Sequence, residues 1–338
     1  MLLGLATAYY VKGDLATGAE VAQEALAAAE RTRDAVDLIS AHVTVGFSFF
    51  YQGNVSRALN HYEQAIRLYD PSEHASFAPT FGWDRGVNAH AYAAWCHLYL
   101  GHYDRALALS EEAVALATRV AHPLTLTNVR THAAVVHLER REPDRALERA
   151  GELVGLAEQL GFPLFVGMGR FFRGCARVDS GKGEEGIAEM QEALVELARI
   201  GTGIGAPAFL VLFADCLRKI GRHDEALGVV GLGVARAEGQ GAHWVDADLR
   251  LVHAQILLDK GEAVEEAEAL FGQSLEIARR QENKLFELRA AMGLARLWQR
   301  QGKRDQARAL LAPAYGWFTE GFDTQDLRDA KALLDELG

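Results

Sequence analysis

The sequence predicts an all-α fold, a right-handed superhelical solenoid of about eight helix-turn-helix repeats with a capping helix at its C-terminal end. Three observations predict it. A fixed period runs along the chain, with pivot residues at Gly13, Gly53, Gly101, Arg141, Gly181, Gly221, Gly261 and Gly302, spaced 40, 48, 40, 40, 40, 40 and 41 apart. Small residues stand seven before every pivot (Ala6, Gly46, Ala94, Ala134, Gly174, Ala214, Ala254, Ala295) and five after most of them (Gly18, Ala58, Ala106, Ala146, Gly186, Ala226, Ala307). No stretch alternates apolar and polar residues as a half-buried strand does. Small residues recurring at two fixed points mean two helices crossing at close range in each period, which is the mark of a solenoid.

Each repeat reads as helix A before its pivot and helix B after it, the glycine supplying a left-handed turn between them. The pairs fall near residues 1–31, 34–70, 84–121, 122–161, 162–201, 205–241, 243–282 and 283–320. The first helix A has only twelve residues before Gly13, so it reads as cut short and suggests a longer parent chain upstream. Its opening run MLLGLATAYYV is apolar but has no basic flank and is too short to span a bilayer. Helix B carries small or apolar residues at plus five, nine and twelve, as in Ala58, Tyr62 and Ala65, and this face is expected against helix A. The copy around Ala267 is displaced by one residue.

The single spacing of 48 leaves an insertion loop at 70–84 that holds Pro71, His74, Phe77, Pro79, Phe81, Trp83 and Asp84. A long aromatic loop reads either as a binding element, with His74, Trp83 and Asp84 as its candidates, or as an ordered surface flap. At the other end Gly321 stops the last helix B, and Asp323 or Thr324 caps a helix over 324–337. Leu327, Ala330, Leu333, Leu334 and Leu337 give that helix one apolar stripe, as an end cap needs.

Composition fits one folded repeat domain spanning 1–338, since charged residues make up 24% and hydrophobic residues 49%. With 46 acidic against 35 basic residues the formal charge is -11, which repels phosphate backbones and argues against nucleic acid as a partner. Cys96, Cys175 and Cys216 fall inside helix A without CxxC spacing, as reduced core thiols of a cytoplasmic protein would.

Catalytic constellations were sought and the sequence supplies none. A P-loop requires GxxxxGK[ST]; the run Gly181, Lys182, Gly183 lacks the hydroxyl residue and occupies a pivot. Gly201, Gly203, Gly205 and Ala206 imitate a dinucleotide fingerprint but follow a helix where a strand is required. HExxH and GxSxG are absent, so the chain reads as non-enzymatic. Twelve histidines raise the question of metal, with His42 and His90 at minus eleven and His97 and His137 at minus four. None makes a ligating pair, and neither metal nor any other cofactor is expected.

Helix A is apolar on two sides, which leaves two narrow polar edges. The first, at minus thirteen, six and two, contains Asn88, Trp95, Tyr99, Asn128, Glu139, Asp215, Lys219, Asp248, Gln255 and Asp259. Amides and aromatics there suit a peptide backbone or a small ligand, although Trp95 and Tyr99 also suit a purely packing role. The second, at minus eleven, eight and four, contains His90, His97, Arg130, His137, Arg170, Arg173, Arg177, Arg250 and His253. The stripe Arg170, Arg173, Arg177 needs water, an anionic ligand or carboxylate partners, for which Glu189, Glu192 and Glu196 on the next helix B are available.

The order Gly53, Ala58, Tyr62, Ala65, Pro71 resembles the latter half of the tetratricopeptide signature. The period of 40 departs from the usual value of about 34 and implies longer helices, similar to the sensor arrays of large bacterial signal-transduction ATPases such as the MalT-type regulators. The segments YDPSEH, GWDRGV and KLFELRAAMGLARLWQRQGKRDQARALLAPAYGWFTEGFDTQDL resemble the C-terminal region of bacterial proteins that join a class III adenylate/guanylate cyclase, a P-loop ATPase and a tetratricopeptide tail. That resemblance implies a regulatory tail that binds a protein, a peptide or an anionic small effector and gates upstream domains. The alternative is a scaffold that self-associates through the first helix or through Trp317, Phe318 and Phe322 near the C-terminal cap.

Overall fold

The computed structural model describes residues 2–338 apart from 75, 76, 202 and 204, and among the described residues there is no strand. Helices α1 (Leu2–Lys12) and α2 (Leu15–Thr32) form the first hairpin, and α3 (Ala35–Tyr51) and α4 (Val55–Leu68) the second. After the short α5 (Phe77–Phe81) come α6 (Arg85–Tyr99) with α7 (Tyr103–Val120) and α8 (Pro123–Glu139) with α9 (Pro143–Leu160). The file continues through α10 (Pro163–Asp179) and α11 (Gly183–Ile200), then α12 (Ala206–Lys219) and α13 (His223–Gln240). It ends with α14 (Asp246–Lys260) and α15 (Val264–Arg280), α16 (Lys284–Arg300) and α17 (Arg304–Gly316), and the cap α18 (Gln325–Leu337).

Local chemistry sets the helix ends. Asp34 and Asp84 accept from the backbone N–H three residues on at 3.0 Å, and Asn283 does so at 3.1 Å. Pro123, Pro143 and Pro163 open α8, α9 and α10, where a missing N–H costs nothing. The closest crossing joins α10 to α11, where a Cβ on Gly174 would lie 2.7 Å from the Gly186 carbonyl oxygen. In the first two hairpins glycine instead makes room for an aromatic ring, since a Cβ on Gly18 would run into Tyr10 and one on Gly46 into Tyr62. The displaced copy at Ala267 has a simple cause: Ala263 adopts φ 48, adding one residue to the turn before α15 begins. The cap buries Leu327, Ala330, Leu333 and Leu337, while Leu334 is half-buried.

The superhelix closes on itself. The first three pivot loops face the C-terminal ends of helices B five repeats later. A Cβ on Gly13 would lie 2.9 Å from the Gln240 side-chain nitrogen, and Gly53 meets the Gln281 amide. Gln281 is fixed there by donating to the His243 carbonyl at 2.7 Å. The Tyr103 ring stacks on Phe318 at 5.5 Å, and Glu320 accepts from the N–H groups of Asp104 and Arg105 at 3.0 and 3.1 Å. Arg141, the one non-glycine pivot, has φ 57 and holds Asp326 and Asp329 on α18 at 3.1 and 3.2 Å. This seam turns the concave face of the array into an axial lumen.

The described residues of the insertion pack against the array. They include α5, the His74 ring stacks between Tyr69 and Phe77, and Asp84 both caps α6 and accepts from the Tyr69 hydroxyl at 2.9 Å. No helix among the described residues is long and apolar enough to cross a membrane.

Candidate functional site

Helices A line the lumen, which has two sections of different chemistry. The aromatic section encloses about 270 Å³ and is walled by Phe47, Tyr51, Trp83, Tyr92, Trp95, Tyr99, Phe172, Phe209, Trp244 and Phe286. The charged section encloses about 440 Å³ and is walled by carboxylates and basic groups from α8, α10, α12, α14, α16 and α18. Glu139, Val211, Leu212 and Asp248 belong to both walls and mark the junction.

Most charges in the polar section are matched. Lys219 Nζ lies 2.7 Å from Asp179 and 2.9 Å from Asp215, and Arg218 reaches Asp215 at 2.8 Å and Asp259 at 2.7 Å. Burial would raise the Asp215 carboxyl, but Lys219 and Arg218 overcome it and hold that group well below the usual carboxylate range. Half-buried Arg289 spans the lumen wall, donating to Glu139 Oε2 and Asp326 Oδ2 at 2.8 Å each. Asp248 differs. Burial and then the Glu139 charge push its carboxyl well above the usual range, and Arg289 and Lys219 offset this only in part.

Polar groups in the aromatic section are only partly satisfied. Asn128 Nδ2 donates to Asn88 Oδ1 at 3.1 Å, which leaves the buried Asn88 Nδ2 without a partner. His132 Nδ1 bonds the Asn128 carbonyl at 2.8 Å, so that nitrogen carries the proton and the unpartnered Nε2 is an acceptor. Burial pushes the His132 imidazole down to about 4, so it is neutral near pH 7. The Trp83 and Trp244 ring nitrogens are buried without a partner, whereas Trp95 Nε1 donates to the His132 carbonyl at 3.1 Å.

The sequence-predicted candidates divide by position. Asn88, Trp95, Tyr99, Asn128, Glu139, Asp215, Lys219, Asp248, Gln255 and Asp259, the first edge, all line the lumen. Trp83 of the insertion joins them, while His74 and Asp84 are used in holding the loop. Residues of the second edge line neither section. Arg173 and Arg177 share Glu189 at 2.5 and 2.8 Å, and Arg170 bridges Glu158 and Glu196 at 3.0 and 3.4 Å. Arg130 lies 3.9 Å from Glu152, His137 Nδ1 bonds Glu142 at 2.6 Å, and His90 Nδ1 bonds the Gly86 carbonyl at 2.8 Å. Apart from the His90 bond, which stays within α6, these are ties between helix A and its neighbours, and Glu192 takes no part in the arginine set. His42 and His97 pair with His61 and His102 at 3.0 and 3.2 Å, instead of with one another's equivalents in adjacent repeats. Among the described residues no group of three or more His, Cys, Asp or Glu side chains is placed to hold a metal ion.

Sequence reasoning missed Tyr92, His132, Trp244 and Arg289. Arg289 stands thirteen before Gly302, in register with Asn88, Asn128 and Asp248, so the edge pattern extended one repeat further would have found it. Tyr92 and His132 sit at minus nine, which Phe172, Leu212 and Val252 occupy in later repeats, so the pattern gives that position to the core.

The tetratricopeptide repeat family model matches residues 1–70. No curated protein matches the sequence. Among solved structures the chain is similar to a Rap protein in complex with competence and sporulation factor, with TM-score 0.64 and 13% identity over 94% of this chain and 81% of that one. It is similar to a Rap conjugation gene regulator of a plasmid in complex with a peptide, with TM-score 0.63 and 13% identity over 99% of this chain and 94% of that one. It is also similar to the apo quorum sensor NprR from B. thuringiensis, with TM-score 0.55 and 13% identity over 93% and 85% of the two chains. These likenesses establish a tetratricopeptide-like superhelix and nothing finer.

Proposed function

We propose that this tetratricopeptide-like superhelix is a non-catalytic binding module that takes a peptide, a protein segment or a small effector into its lumen and uses that occupancy in regulation. The observation that carries the reading is the aromatic section itself. A folded core has no use for a 270 Å³ chamber walled by tryptophans and tyrosines with Asn88 and His132 atoms left unpartnered. Aromatic walls with a few placed polar groups are what a ligand site needs, whereas a packing layer would fill the space. One similar structure was solved in complex with competence and sporulation factor and another with a peptide, which agrees with this use of the fold.

A finer reading follows from the resemblance of the C-terminal segment: the chain serves as the regulatory tail of a signalling ATPase or nucleotidyl cyclase system. A ligand that contacts two arrangements of the superhelix unequally would bias them and pass that bias to linked domains. Of the residues named for self-association, Phe318 is buried in the seam, while Trp317 at 38% and Phe322 at 50% stay exposed, so that alternative keeps a small apolar patch beside the cap. The test is to pan a displayed random peptide library on the wild-type chain and on Leu212→Trp, which places an indole at the junction of the two sections. Enrichment of a peptide set by wild type but not by the blocked variant supports the reading. Equal enrichment by both, or none by either, defeats it.

A further inference from the structure

We propose that the lumen selects a ligand bearing a cationic group, an ammonium or a guanidinium, on an apolar arm, and that Asp248 receives the charge. The proposal rests on the lumen being the binding site and names what enters it. Asp248 stands in both walls, so its carboxylate lies where the aromatic section opens into the charged one. Every cation near it is already engaged. Arg289 is held by Glu139 and Asp326, Lys219 by Asp179 and Asp215, and Arg218 by Asp215 and Asp259. Arg141 is held by Asp326 and Asp329, and Arg296 and Arg300, the rest of the basic lining, are exposed to solvent. Asp248 itself makes no hydrogen bond or close ion pair among the described residues, and Arg289 and Lys219 act on it only as longer-range attractions.

An ionised carboxylate facing an apolar chamber without a counter-charge is costly, and a protein that needed only a filled core would place an apolar residue there. The third position of α14 offers some compensation through the positive end of the helix dipole, but that is a partial charge. A ligand cation would supply the missing unit. The surrounding rings suit the same ligand: Tyr99, Trp244 and Phe286 wall the section beside Asp248, and aromatic faces attract a desolvated cation while their bodies take an apolar arm. Two further polar side chains belong to the same wall. Asn88 is 1% and His132 5% exposed, and the unpartnered Asn88 Nδ2 and His132 Nε2 offer one donor and one acceptor for the polar part of such a ligand. An anionic effector fits poorly, because its charge would face Asp248 and Glu139 with the nearest basic groups already paired.

The cation could sit on a peptide side chain or on a free amine, and the experiment separates these. Isothermal titration calorimetry at pH 7 would use the whole chain with two probe pairs: phenethylammonium against 2-phenylethanol, and acetyl-Phe-Arg-Phe-amide against acetyl-Phe-norleucine-Phe-amide. The expected result is that the cationic member of at least one pair binds tenfold or more tighter than its neutral partner. Asp248→Asn should then weaken the cationic member by about thirtyfold or more and leave the neutral one unchanged, while Asp248→Glu keeps the preference. The pair that shows the preference identifies the source. Equal binding of charged and neutral members, abolished for both by Leu212→Trp, overturns the charge assignment and leaves the lumen as the site. A preference that survives Asp248→Asn also overturns it. Absence of binding by every probe, or binding untouched by Leu212→Trp, overturns this proposal together with the lumen reading.

Discussion

Replacing Arg289 by methionine tests whether the seam is held by charge. In the wild type the guanidinium lies 2.8 Å from both Glu139 and Asp326, whose residues are only 9% and 3% exposed. Methionine keeps much of the volume and the contact with Phe286, over whose ring the guanidinium now lies at 5.6 Å. What it removes is the cation between two buried carboxylates, and breaking a buried pair from one side costs about 3–5 kcal/mol because a charge is left uncompensated. Arg141 still holds Asp326 at 3.1 Å, so the lower end of that range applies. For 338 residues at about 2.1 cal/mol/K each, the unfolding entropy is near 0.7 kcal/mol/K, and a loss of about 3 kcal/mol should lower the melting temperature by about 4 °C. The assay is thermal unfolding by circular dichroism in a double-mutant cycle with Glu139→Gln. The double variant should lose about 1–3 kcal/mol less than the sum of the singles, because the orphaned charge is gone. A single-variant loss below about 1 kcal/mol, or additivity within about 0.5 kcal/mol, would refute the reasoning.

Three further outcomes follow from particular contacts. Asp248→Asn should raise stability at pH 7 by about 0.5–2 kcal/mol, as relief of a functional site commonly does. Because folding raises the Asp248 pKa, the wild type regains its deficit as pH falls, and below the ordinary carboxylate range the two should melt together; a variant less stable at pH 7 contradicts this. Gly174→Ala should cost about 1–3 kcal/mol, since its Cβ would press on the Gly186 carbonyl oxygen at 2.7 Å, whereas Gly272→Ala on α15, with nothing within 4 Å, should gain up to about 1 kcal/mol. Denaturant titration of the pair checks both signs. Tyr62→Phe should be neutral or stabilising, because the buried Tyr62 hydroxyl has no partner to lose.

The repeat was legible because it is written in residues whose size is constrained, such as the Gly174 and Gly186 crossing and the left-handed pivots. The lumen-facing edge was legible for a related reason: at minus thirteen, six and two helix A must show polar atoms to something other than its two neighbours. Closure of the superhelix was not, because it depends on the pitch of the array, a sum of small rotations that no single repeat encodes. Its contacts join residues as distant in sequence as Tyr103 and Phe318, and a stacked ring pair leaves no periodic trace. The role of Asp248 was hidden in the same way. On the sequence it is one of several acidic residues on its edge, and only the geometry reveals that every nearby cation is spent on another carboxylate.

Seam and lumen are not separable structures, and this constrains how any occupant can act. Trp244 walls the aromatic section and also meets Phe50 at 5.4 Å and Tyr51 at 5.7 Å across the seam. Phe286 walls it too while stacking on Tyr99 at 6.0 Å, again from one superhelical turn to the next. Glu139 completes the set, lining both sections and accepting from Arg289. A ligand that touches these side chains therefore adds to, or subtracts from, the free energy that holds the turns together. Occupancy and closure share one energy term, so a ligand that tightens the seam must bind more weakly when the seam is cut, by the same factor. Arg289→Met should consequently weaken a seam-tightening peptide and strengthen a seam-loosening one. Affinity unchanged by that substitution would mean that the lumen binds without reporting to the rest of the superhelix.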